Sequence, residues 1–114
     1  MSKRIPSVII EDILQCIGKI LSYTAGMEYD KFLKDSKTRE AVYRNIEVMG
    51  EAANRMPAEF IDKYPEIEWH KIISTRNIII HSYDEIDDSI IWNIIHNNLP
   101  ELQLELEGLL KSLW

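Results

Sequence analysis

Apolar residues recur at helical spacing through most of the 114-residue sequence, and this periodicity restricts the chain to helical folds. Three long segments show the i, i+3, i+4, i+7 pattern of a helix with one face in a core. No segment shows the strict alternation that is typical of a β-strand. The three stripes are Ile10, Ile13, Leu14, Ile17, Ile20 and Leu21, then Val42, Ile46, Met49, Ala53 and Met56, then Ile91, Ile94, Ile95, Leu99, Leu102, Leu106, Leu109 and Leu113.

Turn and cap residues divide the chain into helices. Pro6 suits a first helical turn, Gly26 suits a helix exit, and residues 35–38 offer caps for a helix that runs to about Arg55. Short helical segments are predicted over residues 29–33 and 57–64. The expected fold is all-α, an up-and-down four-helix bundle with one or two short extra helices, and residues 1–114 form a single domain.

A glycine, an acidic cap and a proline predict local features of the third and the last helix. Gly50 weakens a helix by roughly 1 kcal/mol relative to alanine, so its position inside the third helix predicts the close approach of another helix. Asp87 or Asp88 is expected to cap the last helix. Pro100 lies within that helix, where it removes a hydrogen bond, and predicts a kink near His96.

The segment from Trp69 to Asp84 combines a broad apolar surface with polar side chains. Its isoleucines indicate a helix packed on several sides, and yet it carries Arg76, Asn77, His81 and Tyr83 within eight positions. Polar groups on a largely buried helix are costly unless each finds a partner or a solvent-filled cleft. The segment is therefore the best candidate for a functional site.

Helix geometry places these polar residues on different faces. Asn77 and His81 are four residues apart and share one stripe. Arg76 points roughly 140° away from His81 around an ideal helix, so the two converge only through a bent arginine stem, a distorted helix end or a second copy of the chain. Spacing alone leaves open the alternative of a capped or core histidine and a salt-bridged arginine.

Residues 76–83, Arg-Asn-Ile-Ile-Ile-His-Ser-Tyr, match the Arg-x4-His-x-Tyr signature of the HEPN superfamily, with a polar residue directly after the arginine. The chain most resembles the HepT-like toxins of that superfamily. The resemblance also covers Gly50-Glu51-Ala52, the approach from Pro65 to Trp69, Asp87-Asp88, Trp92 and Leu99-Pro100.

The resemblance implies a metal-independent endoribonuclease that acts as the toxin of a toxin-antitoxin system. It also implies a homodimer, in which two motif helices meet at a twofold axis. The implied partner is a minimal nucleotidyltransferase (MntA-like) antitoxin that inhibits the toxin by transferring AMP to Tyr83. Glu51 is expected near the cleft or the dimer seam on the same grounds.

The residue types of the motif suit RNA cleavage without a metal or cofactor. The neighbouring 2′-OH of RNA can serve as the nucleophile. His81 can move a proton near neutral pH, and the guanidinium of Arg76 can hold the scissile phosphate and stabilise its developing charge. Asn77 could orient the ring or the phosphate, and Tyr83 could bind the phosphate or stack on a base.

Net charge, apolar run length and cysteine content limit the other functions and locations that the chain could have. The net charge of −6 argues against a general RNA-binding protein, although it permits a small local basic cleft. No apolar run is long enough to span a bilayer, and a single cysteine, Cys16, allows no internal disulfide, so a cytoplasmic location is expected. Metal ligands are poorly represented, because there is no cysteine pair and the histidines show no i, i+4 pairing. An ion site at Asp84, Asp87 and Asp88 is conceivable, but a turn and a helix cap explain these carboxylates more simply.

A second function from a different class stays open at this point. The chain could be a non-catalytic helical subunit that binds nucleotide or the partner in a nucleotidyltransferase complex. In that case Arg76 and His81 would be structural or would contact nucleotide. Cleavage of RNA by purified protein separates the two interpretations.

Overall fold

The computed structural model describes residues 5–81 and 85–113, with the backbone alone at Ile80 and His81. Seven α-helices follow one another in these ranges, and no strand occurs in them. They are α1 (Pro6–Thr24), α2 (Tyr29–Lys34), α3 (Ser36–Asn54), α4 (Ala58–Lys63), α5 (Trp69–His81), α6 (Asp88–Asn93) and α7 (Leu99–Ser112), with a π-helical segment at Ile94–Asn98 between the last two. The all-α prediction is confirmed.

The long helices form a bundle with α3 near its centre. One side of α3 packs against α1 and another packs against α5, while α7 packs against α1. Direct contacts between α5 and α7 are sparse, which leaves a groove between these two helices. Of the nineteen residues in the three predicted stripes, fourteen are buried in the core, together with Phe32, Trp69, Ile72 and Ile79, and the other five are half buried against it.

Local signals in the sequence set the helix boundaries as predicted. Pro6 occupies the first turn of α1, and Gly26 turns the chain after it with a φ of 71°. The carboxylate of Asp35 caps α3 by accepting hydrogen bonds from the backbone N–H of Thr38 at 3.0 Å and from its hydroxyl at 2.7 Å. Asp87 caps α6 by accepting from the backbone N–H of Ser89 at 2.9 Å. The predicted acidic cap is thus Asp87.

The irregularity predicted around Pro100 takes the form of a π-helical turn. The backbone N–H of Leu99 donates to the carbonyl of Ile94, five residues back, and α7 begins directly afterwards with Pro100 in its first turn. A proline in that position leaves no α-helical partner for the carbonyl four residues earlier, which belongs to His96. The π turn surrounds this residue, so the wider helix accommodates the missing donor.

The described helices include none that is both long enough and apolar enough to cross a lipid bilayer.

Candidate active site

The start of the motif helix α5 is anchored by Trp69. This side chain is buried, and its indole N–H donates to the backbone carbonyl of Tyr64 at 3.1 Å. Its ring meets Phe60 of α4 edge to face, with 6.1 Å between centroids. A large side chain held by packing and by a hydrogen bond fixes where the helix begins. The residues one to three turns further on are positioned from this point.

Gly50 marks the closest approach of α3 and α5. A Cβ added at Gly50 would lie 2.3 Å from the Cβ of Arg76 and 3.0 Å from its Cγ. No side chain larger than hydrogen fits there unless one of the helices moves. The close approach predicted from Gly50 is therefore confirmed, and the group that fills the space is the stem of the motif arginine.

The guanidinium of Arg76 emerges from this crossing at the surface. One of its terminal nitrogens, Nη1, lies 3.4 Å from Oε1 of Glu51, and the other, Nη2, donates to Oδ1 of Asn77 at 3.1 Å. The side chain of Arg76 is 20% exposed, so the stem is buried and the fork remains accessible. Asn77 orients the guanidinium, a contact that the sequence interpretation had not considered.

The Nε atom of Arg76 is buried and has no hydrogen-bond partner among the side chains that the structure describes. Buried donors are usually satisfied, so this N–H, enclosed beside the helix crossing, is an exception. The two terminal nitrogens are the part of the guanidinium that can reach a phosphate.

Glu51 joins Arg76 to a second arginine on α3. Its other carboxylate oxygen lies 3.4 Å from Nη2 of Arg55, one helical turn away. The resemblance implies a place near the cleft or the dimer seam for Glu51, and it implies no role for Arg55. The Glu51-x3-Arg55 spacing was the available signal. The sequence does not show which helix this pair faces. In the structure, Glu51 reaches Arg76 across the interface between α3 and α5.

A groove between α1 and α3 begins beside this ion pair. Its volume is about 620 Å³, and Glu51 and Arg55 line one end of it. Further along, it is lined by two more basic residues, Lys19 and Arg44, and by the exposed ring of Tyr23. The lining also carries three acidic residues, Asp12, Glu47 and Glu51, so its formal charges balance and the groove is not a basic surface.

His81 is the last residue of α5, and its side chain lies outside the described set, as does the whole of Tyr83. The structure thus brings Arg76 and Asn77 together with Glu51. The convergence of Arg76 with His81 and the role of Tyr83 remain predictions.

A second polar cluster holds the first turn of α6 against α3. The hydroxyl of Tyr43 donates to Oδ1 of Asp88, and the Nε of Arg39 lies 3.6 Å from the other oxygen of that carboxylate. Burial and the adjacent carboxylate raise the pKa of Tyr43 to about 12. Arg39 also donates to the carbonyls of Phe32 and Leu33 at the end of α2. The cluster fixes the point where the chain re-enters the bundle after the motif.

Among the side chains of residues 5–79 and 85–113, no group of three His, Cys, Asp or Glu is arranged to hold a metal ion. Asp84 lies outside these ranges. Cys16 is buried, and burial raises the pKa of its thiol.

Comparisons with known proteins converge on one family. The family model described as "Ribonuclease HepT-like" matches residues 13–109. "Putative RNase MJ0127" of Methanocaldococcus jannaschii is 39% identical over 113 residues, which cover 99% of this chain and 93% of that protein. "Probable ribonuclease HepT" of Thermococcus cleftensis is 34% identical over 102 residues, covering 90% of this chain and 93% of that protein. No solved structure matches the chain.

Proposed function

The chain belongs to the HepT-like ribonuclease family, and from this premise we propose that it is a metal-independent endoribonuclease, the toxin of a toxin-antitoxin pair. The observation that carries the proposal is the arginine fork of Arg76, which is oriented by Asn77 and accessible at the α3–α5 crossing. His81 follows five residues later on the same helix. An arginine fork can stabilise the charge on the phosphate and an imidazole can move a proton, which are two of the tasks in metal-free phosphodiester cleavage.

In the proposed reaction the 2′-hydroxyl oxygen of the substrate attacks the adjacent phosphorus. The bond from phosphorus to the 2′ oxygen forms, and the bond to the 5′ oxygen of the next nucleotide breaks. One proton leaves the 2′-hydroxyl and one is delivered to the departing 5′ oxygen, so the products are a 2′,3′-cyclic phosphate and a 5′-hydroxyl. His81 carries out one of these transfers. Arg76 holds the phosphate oxygens, on which negative charge increases in the transition state.

Glu51 competes with the substrate for Arg76. Its side chain is half exposed and lies 3.4 Å from the guanidinium, a distance typical of a weak surface ion pair. A phosphate with two oxygens can replace it through a bidentate contact. Arg55 lies at the same distance from the other carboxylate oxygen, so Glu51 retains a partner when Arg76 engages the substrate.

The second proton transfer is assigned to a second copy of the chain. A symmetric homodimer would place two motifs around one groove, and the histidine of the partner subunit would then serve as the other acid or base. This arrangement also resolves the angle of roughly 140° between Arg76 and His81 on one helix. The active unit would be a dimer of single-domain chains, each covering residues 1–114, in the cytoplasm.

Regulation is assigned to a nucleotidyltransferase antitoxin acting on Tyr83. The phenol oxygen attacks the α-phosphate of ATP, pyrophosphate leaves, and the phenol proton is released. The product is a bulky anion, seven residues along the chain from the fork of Arg76. Such an anion would occupy the phosphate site and neutralise the cation, and cleavage would stop.

The decisive experiment compares RNA cleavage by the wild type, Arg76→Ala and His81→Ala in excess chelator. Lys37→Ala is the charge control, because Lys37 is exposed on α3 and does not line the groove that begins beside Glu51. The proposal expects cleavage by the wild type and the control, cyclic-phosphate ends on the product, and no cleavage by the two motif variants. Circular dichroism establishes that all four proteins are folded.

Equal background cleavage by all four proteins would overturn the nuclease assignment and favour the non-catalytic subunit. Regulation is tested separately by measuring the intact mass of the chain after co-expression with the nucleotidyltransferase. Added adenylate that maps to Tyr83 and is absent from Tyr83→Phe supports the modification. Unchanged mass in both proteins contradicts it.

A further inference from the structure

The groove between α5 and α7 has an apolar floor that the fold leaves uncovered. Ile72 and Leu99 are buried at its base, while Ile78, Ile94 and Leu102 are only half buried along it. Its volume is about 310 Å³. The floor runs along two helices that scarcely touch, so the groove is an elongated cleft with the shape that a helix can enter.

The rim of this groove is acidic. Glu68 lies at the start of the α5 side, and Glu101 and Glu105 lie one turn apart on α7. The single basic residue among the lining side chains is Lys71, and its ammonium is paired with Glu68 at 3.2 Å. Partial burial and the neighbouring carboxylates of Glu101, Glu68 and Glu66 raise the pKa of Glu105. Negative charge is thus concentrated along the α7 edge without a compensating cation.

The π-helical turn opens onto the same groove. The turn contains Ile94 and Asn98, and Leu99 follows it directly. All three residues line the groove. Single π turns inside helices widen the backbone and are frequent at functional sites.

We propose that the α5–α7 groove is a docking surface for a cationic amphipathic helix of a partner protein. Aliphatic side chains at i, i+3 or i+4, and i+7 of that helix would contact the isoleucine and leucine floor, and lysine or arginine on its flank would face Glu101 and Glu105. Charge complementarity selects this occupant. A second copy of the chain carries a net charge of −6, and a twofold contact through the groove would bring the acidic rims together.

The inference does not depend on the nuclease assignment, because the groove faces away from the contact between Arg76 and Glu51. Its occupant would nevertheless press on α5, the helix that carries the motif. Ser74, Thr75 and Ile78 face the groove, while Arg76, between them in sequence, faces α3. A partner bound in the groove would therefore contact the same helix that positions Arg76.

The test uses two synthetic helical peptides with identical leucine stripes, one flanked by lysine and the other by glutamate. Binding to the intact chain is measured by fluorescence anisotropy at two salt concentrations. The lysine peptide should bind at least tenfold more tightly than the glutamate peptide, and its affinity should fall as salt increases. Equal binding of the two peptides, or no binding of either, would overturn the proposal.

Variants on α7 locate the contact. The double variant Glu101→Lys and Glu105→Lys should weaken the lysine peptide by about tenfold or more and should improve binding of the glutamate peptide. The double variant Glu59→Lys and Glu107→Lys is the control with the same change in net charge, since both glutamates are exposed outside the groove. An unchanged affinity in the double variant would place the peptide elsewhere and refute the proposed site.

The apolar floor is tested with Leu102→Ala, for which Leu104→Ala is the control because Leu104 is 70% exposed and does not line the groove. Loss of binding in the first variant alone supports the docking surface. Analytical ultracentrifugation of both variants without peptide measures their oligomeric state and tests whether a second copy of the chain occupies the groove. If Leu102→Ala dissociates a wild-type dimer and Leu104→Ala does not, a second copy occupies the groove and the proposal fails.

Discussion

Replacing Gly50 with alanine tests the helix crossing that positions Arg76. The new Cβ would lie 2.3 Å from the Cβ of Arg76, whereas ordinary carbon contacts begin near 3.4 Å. The two helices must therefore separate by about 1 Å, or the arginine stem must leave its position. Overpacking of this kind typically destabilises a protein by about 1–3 kcal/mol. A shift of that size at a group that holds a phosphate lowers catalytic efficiency on the order of a hundredfold.

The matched control is Gly18→Ala on α1. A Cβ there would meet nothing within 4 Å, so this variant gains the helix propensity of alanine without an overlap. We expect Gly18→Ala to be more stable than the wild type by up to about 1 kcal/mol. Because both variants share the propensity gain, the difference between their free energies of unfolding isolates the overlap at about 1–3 kcal/mol.

The assay combines urea denaturation, followed by circular dichroism, with kcat/KM for RNA cleavage at the same protein concentration. Gly18→Ala should retain wild-type activity. If Gly50→Ala matched Gly18→Ala in both stability and activity, the close approach of Arg76 to Gly50 would not exist as described. If Gly50→Ala lost stability but kept full activity, the helix crossing would not be needed to position Arg76, and the argument would be refuted.

Three further predictions concern groups outside the proposed site. Asp88→Asn should move the pKa of Tyr43 from about 12 towards its usual range, as measured by ultraviolet titration against Tyr43→Phe. Since the folded pKa is the higher one, the stability due to Tyr43 is lost as pH rises from about 10 to about 12. Hydrogen bonds from Thr38 lower the pKa of Asp35, so the melting-temperature deficit of Asp35→Ala should shrink as pH falls below about 4. Trp69→Phe removes the indole hydrogen bond to the carbonyl of Tyr64, which still accepts from the backbone N–H of Ile67 at 3.3 Å, and should cost about 0.5–1.5 kcal/mol in chemical denaturation.

Periodicity and capping chemistry predicted most of the fold because both are local. The apolar stripe from Val42 to Met56 needed only the helical repeat to be recognised, and all five of its members are buried. Asp35 and Asp87 occupy cap positions where a short acidic side chain reaches a backbone N–H two or three residues later. Pro100 indicated an irregular helix. Which distortion forms, a π turn or a kink, depends on how the neighbouring helices pack, and the local sequence does not show this.

Long-range polar contacts were not predictable from the sequence. Tyr43 and Asp88 are 45 residues apart, and nothing near either residue indicates the other. Glu51 and Arg55 show a local pattern, but such a pattern usually marks a solvated face. Its connection to Arg76 depends on the rotation of α3 about its own axis. Gly50 was the better guide, because a glycine inside a helix requires a packing explanation wherever the helix lies.

The crossing at Gly50 couples the stability of the bundle to the geometry of the proposed site. The stem of Arg76 fills the space between α3 and α5, so the residue that would hold the phosphate is also part of the largest helix interface. Arg76→Ala therefore removes packing as well as charge. Arg76→Lys separates the two effects, because it keeps most of the aliphatic stem and the positive charge but loses the planar fork. If the fork itself holds the phosphate, the lysine variant should fold like the wild type and cleave RNA far more slowly; equal activity would reduce the role of Arg76 to that of a point charge.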